Sequence, residues 1–142
     1  MEYFSSILYT ENMPPTVTAD PGLRRLSPAA IRAFERIADA WVLSTEERRR
    51  LLGDLPASTY FKYRRDPEAA RLSRDALERI SHVVGIFKSI NVLLPRKESA
   101  DAWIRRANTA ALFKGRTALD YLLTGGFAAL VDVRRYLDAS RG

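Results

Sequence analysis

The sequence predicts an all-α protein, with a helix-turn-helix followed by a small helical unit. Apolar residues recur three and four apart through most of the chain from Leu26 onward. Capping residues and helix stops (Ser44, Ser73, Gly53, Asp66-Pro67, Pro95) punctuate that pattern at sensible intervals. The only strand-like stretch, Thr16-Val17-Thr18, is too short and is flanked by proline.

Each element has its own reason. Ser27 is placed to cap a helix with Pro28 at its first position, where a missing N–H costs nothing. Ile31, Phe34, Ile37, Ala38 and Trp41 then share one face, with Arg32, Glu35, Arg36 and Asp39 turned away, and Leu43 ends the element. Ser44 with Glu47 forms a capping box for a short helix to Leu52, stopped by Gly53. Asp54-Leu55-Pro56 makes a turn, and a third helix runs over 57–64 until Asp66-Pro67 breaks it. Ser73 caps the longest helix, whose stripe of Ala76, Leu77, Ile80, Val83, Val84, Phe87 and Ile90 extends to Leu94. A helix over 97–106 buries Ala100, Trp103 and Ile104. A short helix over 117–123, a break at Gly125-Gly126, and a last helix ending by Ala139 complete the chain. The predicted core is Ile31, Phe34, Trp41, Leu77, Ile80, Val84, Phe87, Trp103 and Leu130.

Composition excludes more than it selects. At 142 residues, 46% hydrophobic and 28% charged, the chain reads as a globular protein with one shared core. The absence of cysteine removes disulfides, thiolate metal sites and cysteine nucleophiles. His82 is the only histidine, so no multi-histidine metal site can form, and its place in a long helix reads as structural. The acidic pairs Glu35/Asp39 and Asp75/Glu78 read as partners of nearby arginines. No enzyme, cofactor or metal is predicted. A net charge of +6 favours an anionic partner. No signal peptide or membrane span is predicted, which makes a cytoplasmic location the expectation. Residues 1–22 read as an arm and linker whose Tyr3, Phe4, Ile7, Leu8 and Tyr9 are too apolar to be solvated; they pack on their own domain or reach across a dimer.

The pair of short helices over 44–52 and 57–64, preceded by a supporting helix, describes a helix-turn-helix. Its second helix carries Ser58, Thr59, Tyr60, Lys62, Arg64 and Arg65, residue types suited to base edges and phosphates. Arg48, Arg49 and Arg50 add positive charge along the expected phosphate path.

Four stretches then carry a resemblance: LSPAAIRAFERIADAWVLSTEERRRLLG, LSRDALERISHVVGIFKSI, the run AxxWIRRAN from Ala100 to Asn108 continued in FKGRTALDYLLTGG, and LVDVRRYLDASRG. Together they resemble the Xre/MbcA/ParS antitoxins encoded beside RES-domain toxins, from about Leu26 to Gly142. Ser73–Ile86 and Gly115–Gly126 are the most specific parts. The chain departs from the usual family pattern at Ala107-Asn108 and at Thr117-Ala118-Leu119-Asp120.

The resemblance implies an Xre-like helix-turn-helix over 23–72 and a toxin-binding domain over 73–142, the long helix 74–94 being shared with the core. It implies a type II antitoxin, partnered by a RES-domain toxin that acts on NAD⁺, and an autorepressor binding operator DNA as a homodimer. It places Tyr136, Leu137, Asp138, Ser140, Arg141 and Gly142 against the toxin, at the mouth of its NAD-binding cleft. The polar stretch after Leu137 fits that role, since a cleft for a pyrophosphate offers cationic or N–H groups that Asp138 or a terminal carboxylate can occupy. Two other readings stay open: a stand-alone helix-turn-helix transcription regulator without a toxin partner, and a toxin-binding protein that has lost DNA contact.

Overall fold

A computed structural model describes residues 21–142. The apolar arm residues Tyr3, Phe4, Ile7, Leu8 and Tyr9 lie outside the described residues. A single turn, α1 (Pro21–Arg24), precedes α2 (Ser27–Ala40). Then come α3 (Thr45–Leu51), α4 (Ala57–Arg65), a 3₁₀ turn (Pro67–Ala69), α5 (Arg74–Leu93), α6 (Lys97–Trp103) and α7 (Ala118–Arg141). Among the described residues the only β-type pairing is an isolated bridge between Ala107 and Thr117.

Helix α5 is the central member. Its Leu77, Ile80, Val83, Val84, Ile86 and Ile90 are all buried. It packs most extensively on α7 and next on α2, and α6 leans on it as well. Burying a continuous apolar stripe in this way supplies the main driving force for the fold, at about 25 cal/mol per Å² of apolar surface.

Three local features differ from the sequence-based expectation. Ser27 does not cap α2. Its hydroxyl is fully buried and accepts the Leu72 N–H at 3.0 Å, stapling the start of α2 to the segment entering α5. Helix α2 stops at Ala40 rather than Leu43, because Val42 takes a left-handed backbone (φ 55°) that turns Leu43 back into the core. The expected break between the last two helices is present within α7, at Gly126, whose φ of 66° and ψ of −148° only glycine adopts without strain. Helix α7 then continues to Arg141, beyond the expected end at Ala139.

The predicted core holds with two exceptions. Phe87 and Trp103 are only half-buried, Phe87 resting tilted on Trp41 at 6.2 Å between ring centroids. The fully buried aromatic of the C-terminal half is instead Phe113, in the loop before α7. Trp103, Tyr121 and Tyr136 all meet its ring edge-on, at 5.9, 5.7 and 5.3 Å. Such perpendicular contacts suit the ring quadrupoles and fix a loop that has little secondary structure of its own.

Candidate functional site

Two surfaces take shape from this packing. The first is the α3–turn–α4 unit. Ser44 closes the start of α3 as predicted, accepting the Glu47 N–H at 3.1 Å while Glu47 accepts the Ser44 N–H at 2.8 Å. The turn contains Gly53 (φ 89°) and Asp54 (φ 61°), and Arg49 Nε donates to the Leu55 carbonyl at 2.8 Å. A side chain at Gly53 would come within 2.9 Å of Asp75 Oδ2 and 3.1 Å of Arg79 Nε, so the turn lies directly against the first turns of α5.

Helix α4 exposes Ser58, Phe61, Lys62 and Arg65, spaced as one helical face, with Arg64 exposed beside it and Thr59 half-buried. Lys62, Arg64, Arg65 and Arg50 make no ion pair with any described residue, leaving their charge available to an anion. Phe61, 43% exposed, holds the outward position that the sequence pattern assigns to Tyr60.

Tyr60 is a correction. Its side chain is 0% exposed and its hydroxyl donates to Glu35, so it cannot face DNA in this arrangement. Burial, reinforced by that hydrogen bond, pushes the Tyr60 phenol up to about 12. Arg48 is also withdrawn from the surface. Its Nε donates to the Leu43 carbonyl at 2.9 Å, and its guanidinium reaches Glu35 and, at 2.9 Å, Asp39. Tyr60, Glu35 and Arg48 thus form one buried polar junction joining α2, α3 and α4. Arg49 is occupied by the turn and by Glu46, at 3.1 Å. Of the three consecutive arginines only Arg50 is fully presented to solvent. A further exposed cation with no distinguishing mark in the sequence, Arg36, lines an open cleft of about 240 Å³ together with Arg64.

The second surface is the C-terminal end of α7. Asp138, Ser140, Arg141 and Gly142 are exposed, and Tyr136 is half-buried. Leu137 is a correction: at 2% exposure it belongs to the core and is not presented on the exposed end of the helix with Asp138, Ser140 and Arg141. The expected polar tail is a helical turn held from below. Ser89 Oγ on α5 donates to Asp138 Oδ1 at 3.0 Å, and Arg141 Nη1 donates to Ser89 Oγ at 3.2 Å. Beside it lies an apolar cleft of about 220 Å³, lined by Ile90, Leu93, Leu94, Trp103, Tyr136, Leu137 and Ser140. Its residues lie on three separate elements and the turn after α5, so no single periodicity signals it.

His82 is not among the residues of either surface. Its ring meets Phe127 edge-on at 5.4 Å. Burial, and then the nearby Arg134 charge, bring its pKa down to about 4. Among the described residues no group of His, Cys, Asp and Glu is arranged to hold a metal ion, and no helix is long and apolar enough to cross a membrane.

Comparison with known proteins divides the chain between two family models. Residues 22–85 match the antitoxin Xre-like helix-turn-helix domain, and residues 90–142 match the antitoxin Xre/MbcA/ParS C-terminal toxin-binding domain. The chain is also 44% identical over 115 residues to the uncharacterized protein y4oB of Sinorhizobium fredii (strain NBRC 101917 / NGR234), covering 81% of this chain and 86% of that protein.

Proposed function

We propose, for a chain that belongs to the Xre/MbcA/ParS antitoxin family, that its toxin is a RES-domain protein and that it represses its own operon. The coarse function follows from the family: an antitoxin of a toxin–antitoxin system, with a helix-turn-helix domain and a toxin-binding domain. The finer reading has three parts. The last turn of α7 lies at the toxin's NAD-binding cleft and excludes its substrate; α4 contacts operator DNA; the chain binds that DNA as a homodimer.

The observation that supports the blocking role is the anchored end of α7. A frayed terminus excludes substrate poorly, because ordering it on binding costs conformational entropy. Here Asp138 and Arg141 are tied to Ser89 while both remain exposed. The end is therefore presented already ordered. DNA contact is supported by Lys62, Arg64, Arg65 and Arg50, unpaired on one unit, with Ser58 and Thr59 at the start of α4 where base edges are read. A dimer is what a two-fold operator demands.

The test is co-expression. The protein should restore growth and cellular NAD⁺ to cells making the RES toxin of its operon, and should lower expression from a reporter carrying its own promoter. Failure to restore growth removes the RES assignment. Unchanged reporter expression, with and without toxin, removes the autorepressor role.

A further inference from the structure

The geometry points to a second toxin contact, separate from the blocking end of α7. The toxin inserts one aromatic or branched apolar side chain into the cleft between the C-terminal ends of α5, α6 and α7. This rests on the antitoxin reading above and specifies where its binding energy comes from.

Six of the seven lining residues (Ile90, Leu93, Leu94, Trp103, Tyr136 and Leu137) are apolar or aromatic. The seventh, Ser140, already donates its hydroxyl to the Tyr136 carbonyl at 2.9 Å. The lining holds no cation, and its remaining donors are the neutral indole N–H of Trp103 and phenol of Tyr136, so it suits an apolar or aromatic side chain better than a phosphate or carboxylate. Size agrees: the cleft measures about 220 Å³, and an apolar cavity of about 150 Å³ already admits a benzene ring. In the same stretch of chain Val92 is 58% exposed, adding apolar surface outside the cleft.

The toxin is the occupant because every lining residue falls within 90–142, the stretch matching the toxin-binding domain, and none comes from the helix-turn-helix match. The cleft is also continuous with the end of α7, since Ser140 belongs to both. A partner covering Asp138 and Arg141 therefore reaches the cleft without a second docking site. Half-buried aromatics such as Trp103 and Tyr136 are the residue types that dominate binding energy when a partner finishes burying them.

The chain contains two tryptophans, Trp103 in the cleft and Trp41 at 1% exposure in the helix-turn-helix core, which allows a direct test. Full-length protein labelled with 5-fluorotryptophan is titrated with the unlabelled RES toxin of its operon and followed by ¹⁹F NMR. The Trp103 resonance should shift on saturation and that of Trp41 should stay. Leu94→Glu, which charges the cleft, and Ser140→Trp, which fills it, should each weaken toxin affinity at least about tenfold with the helical circular-dichroism spectrum intact. A saturated complex with Trp103 unmoved, or both variants binding as tightly as the parent chain, overturns the inference. A Trp103 shift driven by protein concentration alone would give the cleft to a second copy, and a shift on deleting residues 1–20 would give it to the chain's own arm; either overturns it too. If the unmodified chain does not bind the toxin at all, the RES assignment falls, and this inference with it.

Discussion

Ser89 and Asp138 meet at 3.0 Å across the α5–α7 interface, and Arg141 returns to the same serine hydroxyl at 3.2 Å. One buried hydroxyl thus accepts from a cation and donates to a carboxylate, using the single proton a serine has to give. The pairing turns the last helical turn into a fixed projection of the central helix. Arg134, one turn before Asp138, strengthens the arrangement with an Nε–Oδ2 separation of 3.8 Å.

Replacing Ser89 with alanine should therefore loosen the end of α7 without removing any exposed atom. A stability loss of about 0.5–1.5 kcal/mol is expected for the hydrogen bonds, measured by urea denaturation. Neutralisation of the toxin should weaken more than toxin binding does. Equal loss of both would mean that Ser89 supports only the fold.

Arg105 clamps the corner between α2 and α3. Its Nε donates to the Trp41 carbonyl at 3.0 Å, and one Nη donates to the Val42 carbonyl at 2.8 Å and to Glu47 at 3.0 Å. Val42 is a β-branched residue with φ 55° and 75% exposure, so the clamp holds a strained backbone rather than a packed side chain. Val42→Gly should relieve that strain and stabilise the protein by up to about 1 kcal/mol, whereas Arg105→Ala should destabilise it. Thermal unfolding of both variants checks the pair of signs; destabilisation by Val42→Gly would contradict this account of the corner.

The registration of α4 makes opposite forecasts for two adjacent aromatic residues. Tyr60→Phe leaves Glu35 and Arg48 short of a partner inside the protein and should cost about 1–3 kcal/mol of stability. Phe61→Ala should cost little stability but, with α4 as the proposed DNA-contacting helix, weaken DNA binding through loss of an exposed ring able to pack on a thymine methyl. Lys62→Ala and Arg65→Ala should each flatten the salt dependence of binding, by about 0.9 in log–log slope for every phosphate no longer engaged. Tyr60 also sets an alkaline limit. Its phenol titrates at about 12 in the folded chain, against 10 for an ordinary tyrosine. The neutral form is favoured by folding, so its contribution is complete below pH 10 and disappears as pH rises from 10 to 12. That alkaline loss should be absent from Tyr60→Phe.

His82 gives the corresponding acid dependence. With a folded-state pKa of about 4 against an ordinary 6.5, the unfolded chain takes up the proton first. Stability from the neutral ring is complete above pH 6.5 and declines as pH falls towards 4. His82→Phe should show a smaller decline over that interval in pH-dependent unfolding. An identical decline would mean that the carboxylates alone carry it.

The helices are legible in the sequence because apolar spacing and caps at Ser44 and Ser73 are local properties of the chain. What the sequence conceals is set by contacts between distant residues. Ser27 has the features of a cap, but Leu72, 45 positions away, takes its hydroxyl. Tyr60 and Phe61 are adjacent aromatics on a short helix, and the position of Glu35 on α2 decides which of them is buried. Arg48 reads as a surface cation, yet Glu35 and Asp39 surround it. Phe113 lies in a segment with no periodicity to reveal its burial. The polar end of the chain is visible in the sequence, but its attachment to Ser89 depends on the crossing of α5 and α7.

In the proposed mode of neutralisation the end of α7 blocks the toxin while the surface behind it binds, and deletion of Asp138–Gly142 separates the two roles. Binding to the purified RES toxin and the toxin's NAD⁺ consumption in the complex are measured on the same samples. The complex should still form but consume NAD⁺. A truncated protein that inhibits as fully as the intact chain would contradict it and transfer inhibition to the body of the C-terminal domain.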